Sequence, residues 1–505
     1  MPARTGKQFL AGLRSPREIW VNGEKVTDVV SHPAFAGAAA TLAEVFDLQH
    51  RAADECLMPD PETGEPINVS HMIPRSRADL ERRHRGLKRI AEYSVGLMGR
   101  TPDYMNVTYA GFAGRADEWA INGNDRGAAN LVAYQKHLAR NDVALTHTIV
   151  HPTIDKSLGD APMPGNDVAL HKVEDTEHGI VVRGARILAT LAPFADELAV
   201  YPAVPLPEGA DQYALAFCIP MGTPGLKFLC RDSCSTNRSR FDNPLSSRFD
   251  EQDAFVIFDN VEVPRDRLFI DANRAAYNTV MTTGWYPNVM QQTMIRAQTK
   301  LEFAYGLGCA MAEIINDKSP ATSQMLGEIW TYAEITRAAI RAAETEAFEY
   351  GNGVWFPNGG PFAALRAALP TWFPRVGEIL TLIGSHNLLA TPAEAQFDDP
   401  GIRELVNRYL RGAGEISARD RARVFRLAWD FVGSALGARN ELYERFYLAS
   451  GARNYALAHV LAPRERGRRL VNQILGIETP PCTARDEEKP RVMGLPRGNG
   501  DWVRK

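Results

Sequence analysis

His147 and His151 stand four residues apart, the interval at which two imidazoles on one helix face grip a single cation. Between them run Thr148, Ile149 and Val150, and Pro152 follows. β-Branched residues and a following proline favour extended backbone, in which the two rings do not share a helix face, so the pair predicts no metal site. Cys230 and Cys234 form a lone Cys-x3-Cys without the second pair that a four-ligand zinc site needs. The six cysteines have no framework spacing and read as buried thiols of a cytosolic protein. No Gly-x-Gly-x-x-Gly opens a strand-to-helix turn, and no Gly-x4-Gly-Lys-Ser/Thr occurs, so neither a nicotinamide fingerprint nor a phosphate loop is encoded. A redox enzyme with this sequence takes its reducing equivalents from elsewhere.

A chain of 505 residues suggests two to four domains at about 150 residues each. Lys and Arg number 57 against 61 Asp and Glu, which gives no electrostatic case for nucleic acid or an anionic membrane. There is no run of eighteen apolar residues to span a bilayer, and the polar start runs into Phe9-Leu10 without the apolar stretch of a signal peptide. The expectation is a cytoplasmic protein with small or proteinaceous partners.

The elements fall into three blocks and a tail. Residues 1–142 read as mainly helical, with a small hairpin at Asn22-Gly23. Ser76 and Asp79 there form a capping-box pattern for a helix with Leu80, Leu87, Ala91, Val95 and Met98 on one face and Gly99 at its end. Residues 143–270 shift towards a period of two, with β-rich runs separated by turns and no helical crossovers, predicting a mainly antiparallel sheet closed as a barrel or stacked as a sandwich. Residues 271–476 return to helical stripes, among them Val424, Leu427, Phe431 and Ala435 behind Ser417 and Asp420, and predict a helical bundle. Residues 477–505 read as a loose tail. The fold class is α+β, in the order of an acyl-CoA dehydrogenase: helical domain, middle antiparallel β-barrel, C-terminal bundle.

Several motifs point to one family. Gly99-Arg-Thr-Pro-Asp-Tyr-Met-Asn106, Leu145-Thr-His-Thr-Ile-Val150 with Asp155-Lys156 behind it, Leu188-Ala-Thr-Leu-Ala-Pro193, Phe258-Asp-Asn-Val-Glu-Val-Pro264 and Glu441-Leu-Tyr-Glu-Arg-Phe446 occur in that order. They resemble the large oxygenase component of the 4-hydroxyphenylacetate 3-monooxygenase family, from about Thr5 to Leu475. The resemblance implies a two-component phenol ortho-hydroxylase, a homotetramer, that works with O2 through a flavin C4a-hydroperoxide. Its FAD arrives reduced from a separate NAD(P)H:flavin reductase, in keeping with the missing nicotinamide fingerprint.

Carried over by position, the resemblance makes Arg100, Tyr104 and His147 the phenol-binding and catalytic set. A weakly electrophilic oxidant needs an electron-rich phenolate, which a histidine titrating near neutrality generates and an arginine holds. For FAD it implies His147, Thr148 and Ile149 along the flavin, Thr153, Ile154, Asp155 and Lys156 along the cofactor, Thr190 near the flavin N5, and Arg439, Ser450 and Gly451 as C-terminal contacts. Thr153 and Lys156 replace an expected Gln and Arg, and Leu448-Ala-Ser-Gly-Ala452 replaces an expected Phe-Gly-Asp-Pro.

4-Hydroxybutyryl-CoA dehydratase shares the superfamily, but its iron-sulfur cluster needs cysteines and a histidine that Gly99 to Tyr104 and Tyr286 to Gln292 lack. A chlorophenol- or nitrophenol-type monooxygenase and a non-enzymatic flavin-binding protein are the remaining alternatives. Around Pro202 and Ala203, where a small acid would meet hydroxyls, only Tyr201 offers one, so the substrate pocket suits a bulkier phenol, including a tyrosine derivative on a carrier protein.

Overall fold

Asn22 and Gly23 both take positive φ, 52° and 79°, and fold β1 (Glu18–Val21) back on β2 (Glu24–Lys25), as the hairpin signal predicts. The computed structural model describes residues 3–159, 161–202, 204–235, 239–281, 283–462 and 464–478. Around the hairpin pack α1 (Gly6–Gly12), α2 (Ala36–Arg51), α3 (Ala53–Cys56), the short pair β3 (Leu57–Pro59) and β4 (Pro66–Asn68), α4 (Arg77–Tyr93), α5 (Pro102–Gly114) and α6 (Asp125–Arg140). Ser76 caps α4 by accepting the Asp79 N–H at 3.2 Å. The Asp79 carboxylate takes the Arg75 N–H, so the box is not reciprocal. The helix ends earlier than its apolar stripe suggests, because Val95 and Gly96 turn left-handed at φ 48° and 72°. Gly99 is left in the link to α5.

The middle of the chain supplies β5 (Leu145–Thr148), β6 (His171–Asp175), β7 (Gly179–Thr190), β8 (Glu197–Val200), β9 (Leu215–Pro220), β10 (Leu226–Cys230), β11 (Asp253–Pro264) and β12 (Leu268–Asp271), with the single turn α7 (Ser246–Phe249) before β11. They form two open sheets, ordered β2-β1-β10-β11-β7-β6 and β12-β9-β8-β5, instead of the expected closed barrel. The hairpin from the first block occupies one edge, where β1 runs parallel to β10, and β5 runs parallel to β8, so the pairing is not wholly antiparallel. The sheets are joined where β5 continues past its last pair, Thr148 with Val200, and Val150 pairs with Ile187 of β7.

Helices α8 (Arg274–Val280), α9 (Trp285–Ile314), α10 (Pro320–Thr345), α11 (Gly359–Gly384), α12 (His386–Ala390), α13 (Ala395–Asp398), α14 (Arg403–Tyr409), α15 (Ala418–Val432), α16 (Ala435–Phe446), α17 (Gly451–Leu461) and α18 (Arg464–Leu475) follow, broken by the hairpin β13 (Phe348–Gly351) and β14 (Val354–Phe356). The 30-residue α9 is buried nearly all round at its start and forms the axis of the bundle. The predicted stripe through Ala435 splits at Gly433 and Ser434: Phe425, Ala428 and Phe431 are buried in α15, while Ala435 is exposed at the start of α16. Of the expected tail, residues 479–505 lie outside the described residues.

Candidate active site

Arg100, Tyr104, His147 and Tyr201 form a column. Pro102 sits in the first turn of α5, where its fixed φ suits helix initiation, and directs Tyr104 inward. The Arg100 Cζ lies 4.0 Å from the centre of the Tyr104 ring. Tyr104 faces His147 of β5 at 5.4 Å and 21°, and His147 faces Tyr201, just past β8, at 5.6 Å and 28°. On its other side the guanidinium meets Tyr447 at 4.8 Å and Tyr443 at 5.7 Å, both from the α16 end. Aromatic faces stabilise the cation without using its N–H groups. Its Nη1 reaches only the Gly99 carbonyl, at 3.4 Å, and among the described residues no carboxylate pairs with it. A planar fork of unspent donors remains for an oxyanion.

The backbone of Arg100 is tied down separately. Its N–H donates to Glu251 Oε1 at 2.7 Å, and Glu251 Oε2 accepts Arg439 Nη1 at 2.9 Å. Arg439 then forks onto Asp253 at 2.8 and 2.9 Å, and Asp253 accepts the Thr190 hydroxyl at 2.8 Å and Arg231 at 3.0 Å. Burial alone would raise the Asp253 carboxyl, but Arg439 and Arg231 outweigh it and hold it below the usual carboxylate range. Arg439 is therefore not a surface ion pair, since the buried Glu251 and the partly buried Asp253 take its fork. Thr190 gives away its proton and keeps lone pairs to offer.

His147 differs from the sequence expectation. Burial first, and then the Arg100 charge, hold its imidazole well below the ordinary 6.5, so it is neutral instead of titrating near neutrality. A neutral ring carries one N–H and one acceptor nitrogen. Thr148 and Ile149 continue the strand: the Thr148 hydroxyl reaches the Ile187 carbonyl at 3.4 Å, and the Ile149 carbonyl accepts Arg186 Nη1 at 2.7 Å. His151 is buried in the segment past the end of β5. Thr153, Ile154, Asp155 and Lys156 form an exposed loop in which Asp155 caps its own turn through the Ser157 N–H at 2.9 Å. Ile154 and Leu158 there are 67% and 62% exposed, with Val150 and Leu188 also open beside them.

The structure does not bring every predicted residue to the column. Ser450 caps α17, and Gly451 faces Pro370 and Ala367 of α11, with no contact to Arg100 or His147 among the described residues. Pro202 is buried beside Tyr201, and Ala203 lies outside the described residues. Sequence reasoning missed Glu251, Asp253, Tyr443 and Tyr447. Tyr443 lies within the Glu441–Phe446 motif and Tyr447 one turn further on, so that motif was the available signal. Nothing in the residues around Glu251 announces its role.

A cation among three tyrosine rings, with donors that no described carboxylate takes and a neutral histidine one ring away, has the chemistry to receive an aromatic oxyanion. The chain matches the family models for the N-terminal part of 4-hydroxyphenylacetate 3-hydroxylase over residues 5–270 and for its C-terminal part over residues 276–476, and it belongs to that family. It is 38% identical to the 4-hydroxyphenylacetate 3-monooxygenase oxygenase component of Thermus thermophilus, over 90% of this chain and 93% of that one. It is 31% identical, over 88% and 84%, to a Streptomyces globisporus monooxygenase of a 3-amino-3-(3-chloro-4-hydroxyphenyl)propanoyl group on a peptidyl-carrier protein. A crystal structure of a 4-hydroxyphenylacetate 3-monooxygenase oxygenase component with FAD and 4-hydroxyphenylacetate superposes with a TM-score of 0.89 at 36% identity, covering 94% of this chain and 98% of that chain. An archaeal 4-hydroxybutyryl-CoA dehydratase shares the fold, with a TM-score of 0.87 at 17% identity and coverage of 96% and 99%.

Proposed function

We propose that this chain is the oxygenase component of a two-component, FAD-dependent phenol monooxygenase that adds a hydroxyl ortho to the phenolic one. The observation that carries the reading is the Arg100 guanidinium, held between tyrosine rings with its fork unspent on any described carboxylate. The residues present fit FAD. Val150, Ile154, Leu158 and Leu188 leave an open apolar flank beside the His147–Ile149 backbone, Thr190 keeps acceptor lone pairs, and Lys156 supplies a point charge for a phosphate. Bound in its reduced form, FAD would supply activated oxygen drawn from O2.

The chain's own residues do the rest. Arg100 holds the phenol oxygen as an anion, which puts electron density on the ortho carbons. His147, neutral in the free chain, offers its free ring nitrogen to the phenol O–H and takes the proton as the phenolate forming beside it offsets the Arg100 charge, and Tyr104 adds a hydrogen bond and a flat wall. Tyr443 and Tyr447 close the side of the site towards α16 and keep water from Arg100. A separate NAD(P)H:flavin reductase supplies the reduced cofactor, since the sequence has no dinucleotide fingerprint.

For the substrate, a phenol bulkier than 4-hydroxyphenylacetate, including a carrier-tethered tyrosine derivative, fits the aromatic mouth best. Tyr201 lies flat on His147, Pro202 follows it, and Trp285 and Tyr286 stand half-buried at the start of α9. The chain assembles as a homotetramer through its C-terminal helices, where Leu442, Phe446, Tyr455, Leu470 and Ile474 are more than half exposed in the single chain. The test supplies a generic flavin reductase and NADH and compares kcat/KM for 4-hydroxyphenylacetate, free tyrosine and carrier-bound tyrosine. A catechol from at least one supports the reaction, and none from any of them refutes it. A preference for the small acid removes the bulky-substrate reading alone.

A further inference from the structure

Behind the tyrosines of the site, α9, α11, α15 and α16 border a cavity of about 550 Å3 that is open to solvent on one side, within the range of small-molecule sites. Its lining includes none of Arg100, Tyr104, His147 or Tyr201. Lys300 of α9, 3% exposed, stands in its wall with the rings of Phe373 and Phe431 at 5.3 and 5.8 Å from its ammonium nitrogen. An ammonium has three N–H donors. One goes to Glu444 Oε1 at 3.0 Å, while the phenylalanine faces attract the charge but accept no hydrogen bond of ordinary strength.

Glu444 is already committed. Arg296 forks onto it at 2.7 and 3.1 Å, so two buried cations share one carboxylate and the cluster carries a net positive charge. Buried charge without a full partner is costly, and an anion in the cavity would relieve it. In the same wall Asn440, 4% exposed, has a buried side-chain nitrogen with no hydrogen-bond partner. The other charged groups at the rim are paired, Arg375 with Glu378 at 2.8 Å and Arg445 with Glu441 at 2.7 Å. What remains unspent is two N–H groups of the Lys300 ammonium and the two of the Asn440 amide, against two phenyl rings.

We propose that this cavity is a second binding site, separate from the phenol site, for a small organic carboxylate with an aromatic or apolar body. Lys300 and the Asn440 amide hold the carboxylate, and Phe373 and Phe431 receive the body. No described residue is shared with the phenol column, and Arg296 with Tyr443 and Tyr447 stands between the two.

Fluorine NMR of the full chain titrated with 4-fluorobenzoate tests this. Wild type and Arg100→Ala should both show saturable binding at this site. In Lys300→Met the dissociation constant should rise about 10- to 150-fold, the scale of a lost charged hydrogen bond. Asn440→Ala leaves the Lys300–Glu444 pair intact, so it keeps the test open if Lys300→Met unfolds, and should weaken binding about 2- to 10-fold. Absence of saturable binding overturns the proposal. So does binding that Arg100→Ala abolishes and Asn440→Ala leaves unchanged, which puts the probe in the phenol site. Sedimentation velocity in which Asn440→Ala alters the assembly while the probe does not bind assigns the cavity to contacts between copies, and overturns it as well.

Discussion

The N–H of Arg100 points at Glu251 Oε1, 2.7 Å away, and the other oxygen of Glu251 takes an N–H of Arg439 at 2.9 Å. One fully buried carboxylate thus pins the link between α4 and α5 to α16 across the end of the sheet. Among the described residues no carboxylate pairs with the Arg100 side chain, and Glu251 serves its backbone instead.

Glu251→Gln keeps the shape but removes the charge facing Arg439. Arg439 retains Asp253, so the expected loss is about 1.5 to 3 kcal/mol, that of a charged hydrogen bond and not of a whole ion pair. Urea unfolding followed by tryptophan fluorescence checks it. Hydroxylation should fall more than flavin binding, because the displaced group is the Arg100 backbone. Unchanged stability and turnover would remove Glu251 from the design.

Arg100→Lys retains a positive charge and loses the fork. Lysine is a strongly hydrated point charge that does not lie flat between the Tyr104 and Tyr447 rings as a guanidinium does. Hydroxylation should drop about 10- to 100-fold, and Arg100→Ala or His147→Ala by about 100-fold or more. Oxygen uptake should continue in all three, released as peroxide, so catechol formed per O2 consumed is the quantity to measure. Wild-type coupling in Arg100→Ala would contradict the assignment.

Stability should depend on pH through two buried histidines. Burial and then Arg100 lower His147 well below 6.5, and burial and then Arg186 lower His151 to about 2. Folded, both are neutral, while unfolded they protonate below about 6.5, so the unfolded state binds more protons and stability falls as pH drops. Asp103 has the opposite sign: burial pushes its carboxyl up to about 6, so between about pH 6 and 4 the folded state takes up its proton first. From pH 7 to 5 His151 removes about 2 kcal/mol, His147 acts in the same direction, and Asp103 returns about 1, so stability falls on balance. His151→Gln should reduce that loss, and Asp103→Asn should deepen it. A profile flat from pH 7 to 5 in the parent protein would show that these groups titrate alike in both states.

Much of the framework was legible in the chain because it rests on local chemistry. Asn22-Gly23, Ser76 and the extended bias around His147 act through their own backbone, and the structure shows each of them. Gly99 was misplaced as a helix end because Val95 and Gly96 turn left-handed first, a choice set by packing of the turn against Arg296 and Lys300. The open sheets were hidden because β1 reaches β10 across about 200 residues, and nothing in either strand announces its partner. The motifs named Arg100, Tyr104 and His147, and the fold brings these three side chains together. Their electrostatics were not legible, since the neutrality of His147 follows from burial beside Arg100, 47 positions away, and Arg439 meets Asp253 only through the fold.

Gly99 leads to the last prediction. A Cβ there would lie 2.0 Å from the Tyr443 hydroxyl oxygen and 2.7 Å from its Cζ. Tyr443 has little room to retreat, since it lies flat on Tyr447 at 4.5 Å and 9° with the Arg439 guanidinium 4.6 Å from its centre. Gly99→Ala must therefore shift either the tyrosine pair or the link carrying Arg100, at a cost of about 1 to 3 kcal/mol, typical of overpacking. Both shifts open the stack around the guanidinium, so hydroxylation should fall together with stability. Gly306→Ala in α9 is the control: it meets nothing within 4 Å, and alanine favours a helix interior by up to about 1 kcal/mol. Tyr443→Phe in the Gly99→Ala background removes the nearest atom but not Cζ, and should restore part of the stability. Urea midpoints and catechol yield for the four proteins decide the matter. A Gly99→Ala enzyme as stable and as active as its parent would show that Tyr443 does not pack against this link.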